Sequence, residues 1–485
     1  MTNNNEYKTQ PFSYQLEDLL ETREAFNYAL FYEQGLGKTK MSIDTAAHLF
    51  RKGWIDFVLI VAPNDVHRNW IEEQLPVHLP DDVNAQSLAK YYETNRAGTK
   101  WHEQMLTTAS NYPGLTWIAI SYDGICTDRG KAWAREVMKK RNVLFIMDES
   151  HTIKTPNSSV TKTVRDMAKR AKFRRILTGT PTDKPFDIYS QIAAVDSEFW
   201  KRHRLGTFQE FNNMFGVFFQ PTDPLTGLPT KYKILKGYKN LQYLNQIIKK
   251  ISVRRTKEEE LDLPPKLYSR RDLNMSAEQT RVYAEMCRHY ISEVGDSTVS
   301  AEISLALKGK LHQIACGFAK TDDGEWVNIP GKNPKLEAVK DIVENSQHKL
   351  IIFAFYTHEI DLLVEALSEY GALRFDGTLS SDENAKNKEL FKTDPKHQVL
   401  VMQIDKGATG HNLTEAKTVV YFSNTFSYLT RAQSEDRAHR IGQDNAVLYV
   451  DLVMKRTVDE EIITALRGKC DVASTIVGDQ LKEWI

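Results

Sequence analysis

Short runs of apolar residues alternate along this chain with longer segments in which charged and apolar residues are mixed. The runs are apolar throughout rather than at every second position, which predicts strands buried on both faces of a parallel sheet. Strands that alternate with amphipathic helical segments indicate an α/β, doubly wound architecture. The predicted strands are 57–62, 116–121, 143–148, 174–179, 349–355, 397–404 and 418–423.

These strands fall into two groups, separated by a segment rich in helix formers and charges. We interpret the middle as helical insertions with a linker near 261–266, where paired prolines disfavour a helix. The last residues predict one or two helices. The predicted domains are a first lobe at 1–195, its helical insertion and linker at 196–265, a helical insertion of the second lobe at 266–332, the second lobe at 333–456, and C-terminal helices packed on the core at 457–485.

A glycine-rich motif, GLGKT, occupies Gly35 to Thr39. Gly35 and Gly37 let backbone amides approach phosphate oxygens, Lys38 supplies a charge for the β and γ phosphates, and Thr39 offers a hydroxyl to magnesium. A helix beginning near Lys38 adds its positive N-terminal end. Tyr32 stands where the strict spacing has glycine, and a glycine turn that only caps a helix is the alternative interpretation.

Two adjacent acids, Asp148 and Glu149, end one of the predicted strands. The carboxyl ends of parallel strands are where such sheets place ligands. We expect Asp148 to hold magnesium through water and Glu149 to orient and deprotonate the attacking water, with a helix cap as the alternative. Thr178 and Thr180 follow the next strand, where their hydroxyls suit relay of the nucleotide state or ordinary turn chemistry.

Gln433, Arg437 and Arg440 are spaced four and three residues apart, which predicts one face of a helix. Arginine suits charge spread over phosphoryl oxygens because it stays ionised and offers a planar fork. Supplied from a second domain, it contributes about 10³–10⁵ in rate. A solvated basic face is the alternative. Gly410 and Asn412 lie in a loop after another predicted strand.

The formal charge is zero, with 64 Lys plus Arg against 64 Asp plus Glu. This excludes binding of nucleic acid by bulk charge but permits a local basic groove. The basic segments 161–175 and 201–204 are candidate backbone contacts or, equally, solvated helix faces. Four scattered cysteines predict neither disulfides nor a zinc site. With no signal peptide or membrane span predicted, we expect a cytoplasmic protein without membrane partners.

Taken in order, the motifs GLGKT, DESH, LTGTP, GHNLT and QSEDRAHRIGQ resemble those of helicase superfamily two, and more narrowly those of the Swi/Snf-type ATPases. The resemblance implies two RecA-like parallel-sheet lobes with helical insertions, and use of ATP and Mg²⁺. The chain looks like compact bacterial or phage relatives. That likeness implies a monomeric, DNA-dependent ATPase and translocase or helicase on double-stranded or branched DNA. It would process forks, recombination intermediates or damage, including branch migration, in a bacterial or phage-infected cytoplasm.

The resemblance also assigns roles to individual residues. The implied catalytic residues are Lys38, Glu149, Arg437 and Arg440. The implied nucleotide-binding residues are Gln15, which would read the adenine, Gly35, Leu36, Gly37, Lys38, Thr39, Gly410 and Asn412. The implied magnesium ligands are Thr39 and Asp148, and the implied coupling residues are His151, Thr178, Thr180 and Gln433. The implied contacts to the nucleic-acid backbone are Pro63, Asn64 and Tyr122.

Other functions compete with this interpretation. An RNA helicase or an RNA-polymerase-associated remodeller would use similar phosphate-tracking motifs. A helicase subunit of a restriction system would need a nuclease or methylase segment, for which the two lobes leave no space. A catalytically inactive ATP-binding scaffold is disfavoured because Lys38, Glu149, Arg437 and Arg440 are all present.

Overall fold

The computed structural model describes residues 6–64, 66–223, 227–231, 233–289, 291–294, 297–300, 304–407 and 412–479. The chain divides into two compact units. The first unit is Met1–Leu261 with Val472–Leu481, and the second is Asp262–Asp471 with Lys482–Ile485. The change from first to second unit falls in LDLPPK, whose prolines predict a linker. No helix in the described part of the chain is long and apolar enough to cross a membrane.

The first unit is built on a seven-stranded sheet in the order β3-β4-β2-β5-β6-β1-β9. Every neighbouring pair in it is parallel. A separate antiparallel hairpin is formed by β7 and β8. The strands are β1 Asn27–Tyr32, β2 Phe57–Ala62, β3 Ser87–Tyr91, β4 Leu115–Ser121, β5 Val143–Asp148, β6 Phe173–Leu177, β7 Gly216–Phe219, β8 Ile234–Tyr238 and β9 Ser252–Arg255.

Helices lie on both faces of this sheet, so alternate residues of one strand enter different cores. Phe57, Leu59 and Val61 of β2 belong to one hydrophobic cluster. Val58 and Ile60 belong to the other. The unbroken apolar runs follow from this double burial. The helices are α1 Ser13–Thr22, α2 Lys38–Arg51, α3 Val66–Asn69, α4 Leu75–His78, α5 Asp81–Asn84, α6 Lys100–Asn111, α7 Tyr122–Cys126, α8 Asp128–Lys140, α9 Ser159–Ala168, α10 Asp187–Val195, α11 Phe199–Arg202, α12 Phe208–Phe215, α13 Leu241–Ile248 and α14 Lys257–Glu260.

The second unit repeats this design with a six-stranded parallel sheet in the order β10-β19-β18-β15-β17-β16. The strands are β10 Lys266–Leu273, β11 Ile291–Val294, β12 Ser297–Ser300, β13 Phe318–Lys320, β14 Trp326–Asn328, β15 Leu350–Ala354, β16 Leu373–Phe375, β17 Val399–Gln403, β18 Thr418–Tyr421 and β19 Val447–Met454. The helices are α15 Ala277–His289, α16 Ser304–Ala315, α17 Pro334–Glu344, α18 Thr357–Ala366, α19 Ser381–Thr393, α20 Ile404–Gly407, α21 Tyr428–Glu435 and α22 Val458–Val477, of which the residues from Val472 onward belong to the first unit. Two parallel-sheet lobes with helices confirm the predicted α/β fold class.

The middle of the chain differs from its predicted helical character. Three antiparallel hairpins occur there, β7–β8, β11–β12 and β13–β14. Two further strands complete the main sheets, because β9 pairs with β1 and β10 pairs with β19. Both lie at sheet edges and carry several charged residues, so neither shows the apolar run that identifies an internal strand.

A buried ion pair joins α21 to β19 in the second unit. Arg431 is fully buried, and its Nη2 donates to Oδ2 of Asp451 at 3.0 Å. Its Nη1 also donates to the Asn424 side chain, and its guanidinium lies 3.4 Å from the centroid of the Tyr421 ring. Removing one partner of such a pair leaves a desolvated charge uncompensated.

We therefore expect Asp451→Ala to lower the free energy of unfolding of the second unit by about 3–5 kcal/mol. The matched control is Asp341→Ala, which breaks the exposed pair between Arg271 and Asp341. Exposed pairs contribute little, so the control should unfold close to the wild type. Urea unfolding followed by far-UV circular dichroism measures both variants. Equal midpoints for the two variants would contradict the prediction.

Candidate active site

The phosphate loop, residues 33–37, connects β1 to the N-terminus of α2. Gly35 and Gly37 have φ angles of 91° and 83°, which favour glycine. A Cβ atom on Gly37 would also lie 2.3 Å from Nε2 of Gln15, so this position lacks room for a side chain. Leu36 is buried, and its carbonyl accepts hydrogen bonds from Tyr14 Oη at 3.1 Å and Gln15 Nε2 at 2.9 Å. The loop is thereby held open at the positive end of a 14-residue helix.

Lys38, the first residue of α2, folds back over the phosphate loop. Its Nζ donates to the carbonyl of Tyr32 at 2.8 Å and approaches that of Glu33 at 3.4 Å. Thr39 follows on the same first turn and is half-buried. The cation and the hydroxyl are therefore both at the helix start, as the motif predicts.

The amide of Gln15 links the phosphate loop to the start of α1. Nε2 donates to Leu36 O, and Oε1 accepts from the Phe12 backbone N–H at 3.1 Å. The side chain is buried, with 2% of its surface exposed. Its predicted contact with adenine remains a prediction.

The acidic pair lies at the carboxyl end of β5. Since β1 pairs with β6, and β6 pairs with β5, the phosphate loop and the end of β5 share one sheet edge. Asp148 Oδ2 accepts from Trp70 Nε1 at 2.8 Å, and Oδ1 accepts from the Glu149 N–H at 2.9 Å. Burial and the Glu149 charge raise the pKa of Asp148, while the Trp70 hydrogen bond and the Lys38 charge act in the opposite direction. The site therefore concentrates negative charge opposite Lys38.

Glu149 has a φ angle of 47°, in the left-handed region that non-glycine residues rarely adopt. Its Oε2 lies 3.3 Å from Nδ1 of His151. The same His151 nitrogen lies 3.3 Å from Oγ1 of Thr178. Strain of this kind persists where the surroundings fix the backbone, and it occurs often at functional sites.

The threonine loop, residues 178–180, packs against the phosphate loop. Thr178 Oγ1 accepts from the Thr180 N–H at 3.3 Å. The Thr180 hydroxyl oxygen is buried and has no hydrogen-bond partner within the described residues. A Cβ on Gly179 would lie 3.2 Å from Gln34 N and 3.3 Å from Tyr32 O. The structure thus brings His151 into contact with Glu149 and Thr178, and it packs the threonine loop against the phosphate loop through Gly179.

The residues at this edge fit a magnesium ion that is bound together with phosphates. Thr39 and Asp148 offer hard oxygen ligands, which Mg²⁺ prefers. The desolvated Asp148 carboxylate beside a second acid is a site that a divalent cation would neutralise. Within the described residues no cluster of three or more His, Cys, Asp or Glu side chains could hold a metal alone.

The helix predicted to carry Gln433, Arg437 and Arg440 is shorter in the structure, so that prediction is wrong in its extent. α21 ends at Glu435, so Gln433 is helical whereas Arg437 and Arg440 lie in the turns that follow. After Glu435 the backbone continues in turns, in which Arg437 N donates to Ser434 O and His439 N donates to Glu435 O. Tertiary hydrogen bonds from Tyr449 Oη and Leu413 N also reach the carbonyls of Glu435 and Arg437.

Burial differs among the second-unit residues that the sequence singles out. Gln433 and Arg437 are buried. Arg440 is partly buried. Burial lowers the pKa of its guanidinium, while the negative charge of Asp436 acts in the opposite direction. Asn412 is exposed, and Gly410 lies outside the described residues.

The residues predicted to contact nucleic acid have unequal access to it. Pro63 is half-buried, and Asn64 is exposed with its amide donating to Asp123 at 2.9 Å. Tyr122 is buried, and its hydroxyl donates to Asp148 O at 2.8 Å. Tyr122 therefore supports the acidic pair and presents no surface to a backbone phosphate. The sequence analysis did not identify Trp70, whose indole N–H donates to Asp148 and which follows β2 by eight residues.

In the basic segments 161–175 and 201–204, several side chains are buried or paired with acids and are therefore not free to contact a nucleic acid. Arg175 is buried and donates to Thr22 O, and Arg170 pairs with Asp166. In the second segment Lys201 and Arg202 pair with acids. The exposed basic residues of the first segment include Lys162, Lys169 and Lys172.

Comparison with known proteins identifies the two halves of the chain. Residues 17–317 match the SNF2-related domain, and residues 334–442 match the helicase conserved C-terminal domain. The chain is 28% identical to a probable ATP-dependent DNA helicase of Arabidopsis thaliana, over 96% of this chain and 42% of the relative. It is 25% identical to a DNA annealing helicase and endonuclease of Mus musculus, over 93% of this chain and 39% of the relative. The chain thus spans about two fifths of the length of these relatives.

Among solved structures, a Sulfolobus solfataricus SWI2/SNF2 ATPase core in complex with dsDNA matches with a TM-score of 0.42 and 22% identity, over 98% of this chain and 94% of that chain. The SNF2-related match covers more than half of the 485 residues. The chain therefore belongs to the SNF2-related family, the ATP-hydrolysing enzymes of helicase superfamily two.

Proposed function

We propose that this chain uses ATP hydrolysis to move along double-stranded or branched DNA, in fork, recombination or repair processing that includes branch migration. The observation that carries the ATPase part is the shared sheet edge, where Lys38, Asp148 and Glu149 converge. The names of two relatives, a DNA helicase and a DNA annealing helicase, support DNA as the nucleic acid. We further propose that it acts as a monomer in the cytoplasm of a bacterial or phage-infected cell.

In this proposal the phosphate loop binds the triphosphate through backbone amides and the positive end of α2. Lys38 moves from the carbonyls of Tyr32 and Glu33 to the β and γ phosphates. Thr39 and Asp148 would hold a magnesium ion, whose charge would neutralise that of the phosphates. Trp70 and the Glu149 N–H keep Asp148 in place.

Glu149 acts as the base that orients and deprotonates the attacking water. Its strained backbone fixes the direction of the carboxylate, and His151 holds Oε2 from one side. Since His151 also touches Thr178, the path from Glu149 to the threonine loop is continuous. Loss of the γ phosphate would then reach the threonine loop through His151.

Lys38→Ala should lower ATP turnover by about 10²–10³-fold, because it removes a charge-assisted donor to the transferred phosphoryl group. The substitution removes no core volume, so circular dichroism should show a native fold. Lys52→Ala, at the other end of α2, is the matched control and should turn over normally. Wild-type turnover in a folded Lys38→Ala protein would refute the proposed role of the loop.

Glu149→Gln should keep nucleotide affinity within about twofold and lower the rate constant for hydrolysis by about 10²–10⁴-fold, because the amide keeps the shape of glutamate and loses the base. Equilibrium nucleotide binding and single-turnover hydrolysis separate the two effects. Glu136→Gln, an exposed carboxylate on α8, serves as the control. Lost nucleotide binding with normal hydrolysis in Glu149→Gln would mean that the assignment is wrong.

ATPase activity should be low without nucleic acid and rise with duplex or forked DNA more than with single-stranded DNA or RNA. We further propose that Arg437 and Arg440 stabilise the transition state, so Arg440→Ala should abolish the DNA-stimulated rise while weakening nucleotide binding far less. Arg440→Lys should rescue poorly because lysine lacks the planar fork.

The measurement is steady-state ATPase of wild type, both Arg440 variants and the exposed control Arg467→Ala, with each nucleic acid in turn. Greater stimulation by RNA than by DNA would favour the RNA helicase alternative. A full DNA-stimulated rate in Arg440→Ala would remove Arg440 from the active site.

A further inference from the structure

Arg254 lies on the edge strand β9, beside the strand that leads into the phosphate loop. In the register of the sheet it pairs with Phe31 of β1. Its side chain is largely buried, with 15% of its surface exposed. Burying a guanidinium is costly unless its donors are satisfied, so its partners show what this position requires.

One nitrogen of Arg254 bridges two backbone segments of the candidate site. Nη1 donates to Phe31 O at 2.8 Å and to Gly179 O at 3.0 Å. Phe31 precedes the phosphate loop by two residues, and Gly179 is the centre of the threonine loop. The guanidinium therefore ties the end of β1, which leads into the phosphate loop, to the threonine loop.

The contact with Gly179 reaches the environment of Lys38. Gly179 is packed so closely that an added Cβ would lie 3.3 Å from Tyr32 O. That carbonyl accepts the hydrogen bond from Lys38 Nζ. A shift of Gly179 would displace the group that positions Lys38.

The other two nitrogens of the Arg254 guanidinium, Nε and Nη2, donate to Asp479. Nε donates to Oδ1 at 2.9 Å and Nη2 donates to Oδ2 at 2.7 Å, which is a bidentate pair. Nη2 also approaches Oε1 of Glu33 at 3.3 Å. Because the guanidinium is planar, fixing Nε and Nη2 also fixes the direction of Nη1 toward the two carbonyls.

The sequence Val-Gly-Asp places Asp479 at this position. α22 ends at Val477, and Gly478 adopts a φ angle of 86°, the left-handed conformation that ends many helices. Its N–H donates to Ser474 O at 2.8 Å, while Asn245 Nδ2 donates to Ile476 O at 2.7 Å. Ile476 is buried in the core of the first unit. The end of the helix is therefore anchored, and the next residue is directed to Arg254.

We propose that Arg254 and Asp479 are positioning residues of the ATP site. Asp479 orients the guanidinium, and Arg254 sets the spacing of the phosphate loop and the threonine loop for triphosphate binding. The inference rests on the proposed function, since it concerns the same site. It adds a C-terminal residue, more than 400 positions after the phosphate loop, to the support of that loop.

The test compares the KM and kcat of ATP hydrolysis with nucleotide affinity measured without DNA. Asp479→Asn keeps the size of the side chain and loses its charge, and Arg254→Lys keeps the charge and loses the fork. Each should raise the KM and the dissociation constant for ATP by about five- to tenfold with kcat within about twofold, because the phosphate loop holds ground and transition states alike. The double variant should be no worse than Arg254→Lys alone, because both changes break the same link.

Asp82→Asn is the matched control, because it breaks a bidentate pair with Arg51 at the far end of α2. Its KM should equal that of the wild type. Lys38→Ala tests the proposed function separately. If it loses ATP turnover while Asp479→Asn and Arg254→Lys keep wild-type KM, the positioning role is overturned and the proposed function stands. If Lys38→Ala hydrolyses ATP at the wild-type rate, the proposed function itself fails. Lowered melting temperature without a change in KM would also overturn the positioning role, because it would mark the pair as structural only.

Discussion

Burial of the Asp148 carboxylate, at the end of a strand covered on both faces, is the constraint on which the candidate site depends. A carboxylate without water must be compensated by donors or cations. Trp70 and the Glu149 N–H supply two donors. Glu149 adds a second negative charge, which together with burial raises the pKa of Asp148, while the Lys38 charge acts in the opposite direction and favours the ionised carboxylate. This electrostatic demand explains why a lysine, a helix N-terminus and a magnesium ion suit one small region.

The all-parallel sheet makes that concentration possible. Every strand of the first sheet ends at the same edge, so segments far apart in sequence become neighbours. β6 lies between β1 and β5, which brings the threonine loop between the phosphate loop and the acidic pair. Gly179 accordingly packs on Tyr32 and Gln34, and Thr178 touches His151. The order of the strands in the sheet differs from their order along the chain, and the order in the sheet decides which side chains meet at the site.

The internal strands could be predicted from the sequence because a strand that is buried on both faces is apolar at every position. β2 and β5 have the bounds that their apolar runs predict, 57–62 and 143–148. The edge strands β9 and β10 could not be predicted because charged residues interrupt them. The helix predicted through Arg440 is too long because the spacing of three side chains does not show that the chain turns after Glu435. At the site, residue types at fixed spacing identified Lys38 and the acids. Trp70 and Arg254 could not be identified from the sequence, because the carboxylates to which they donate lie far away along the chain.

Buried arginines also change what the zero net charge means. Arg175, Arg254 and Arg431 each use their forks on carbonyls or carboxylates inside one unit. Such residues count in the composition as basic, yet the phosphates of a nucleic acid cannot reach them. A basic segment therefore predicts a DNA-binding surface only to the extent that its side chains are exposed, as Lys169 and Lys172 are. Since exposure is fixed by the packing of α9 and β6 rather than by local composition, the fold decides which of these basic residues could meet a nucleic acid.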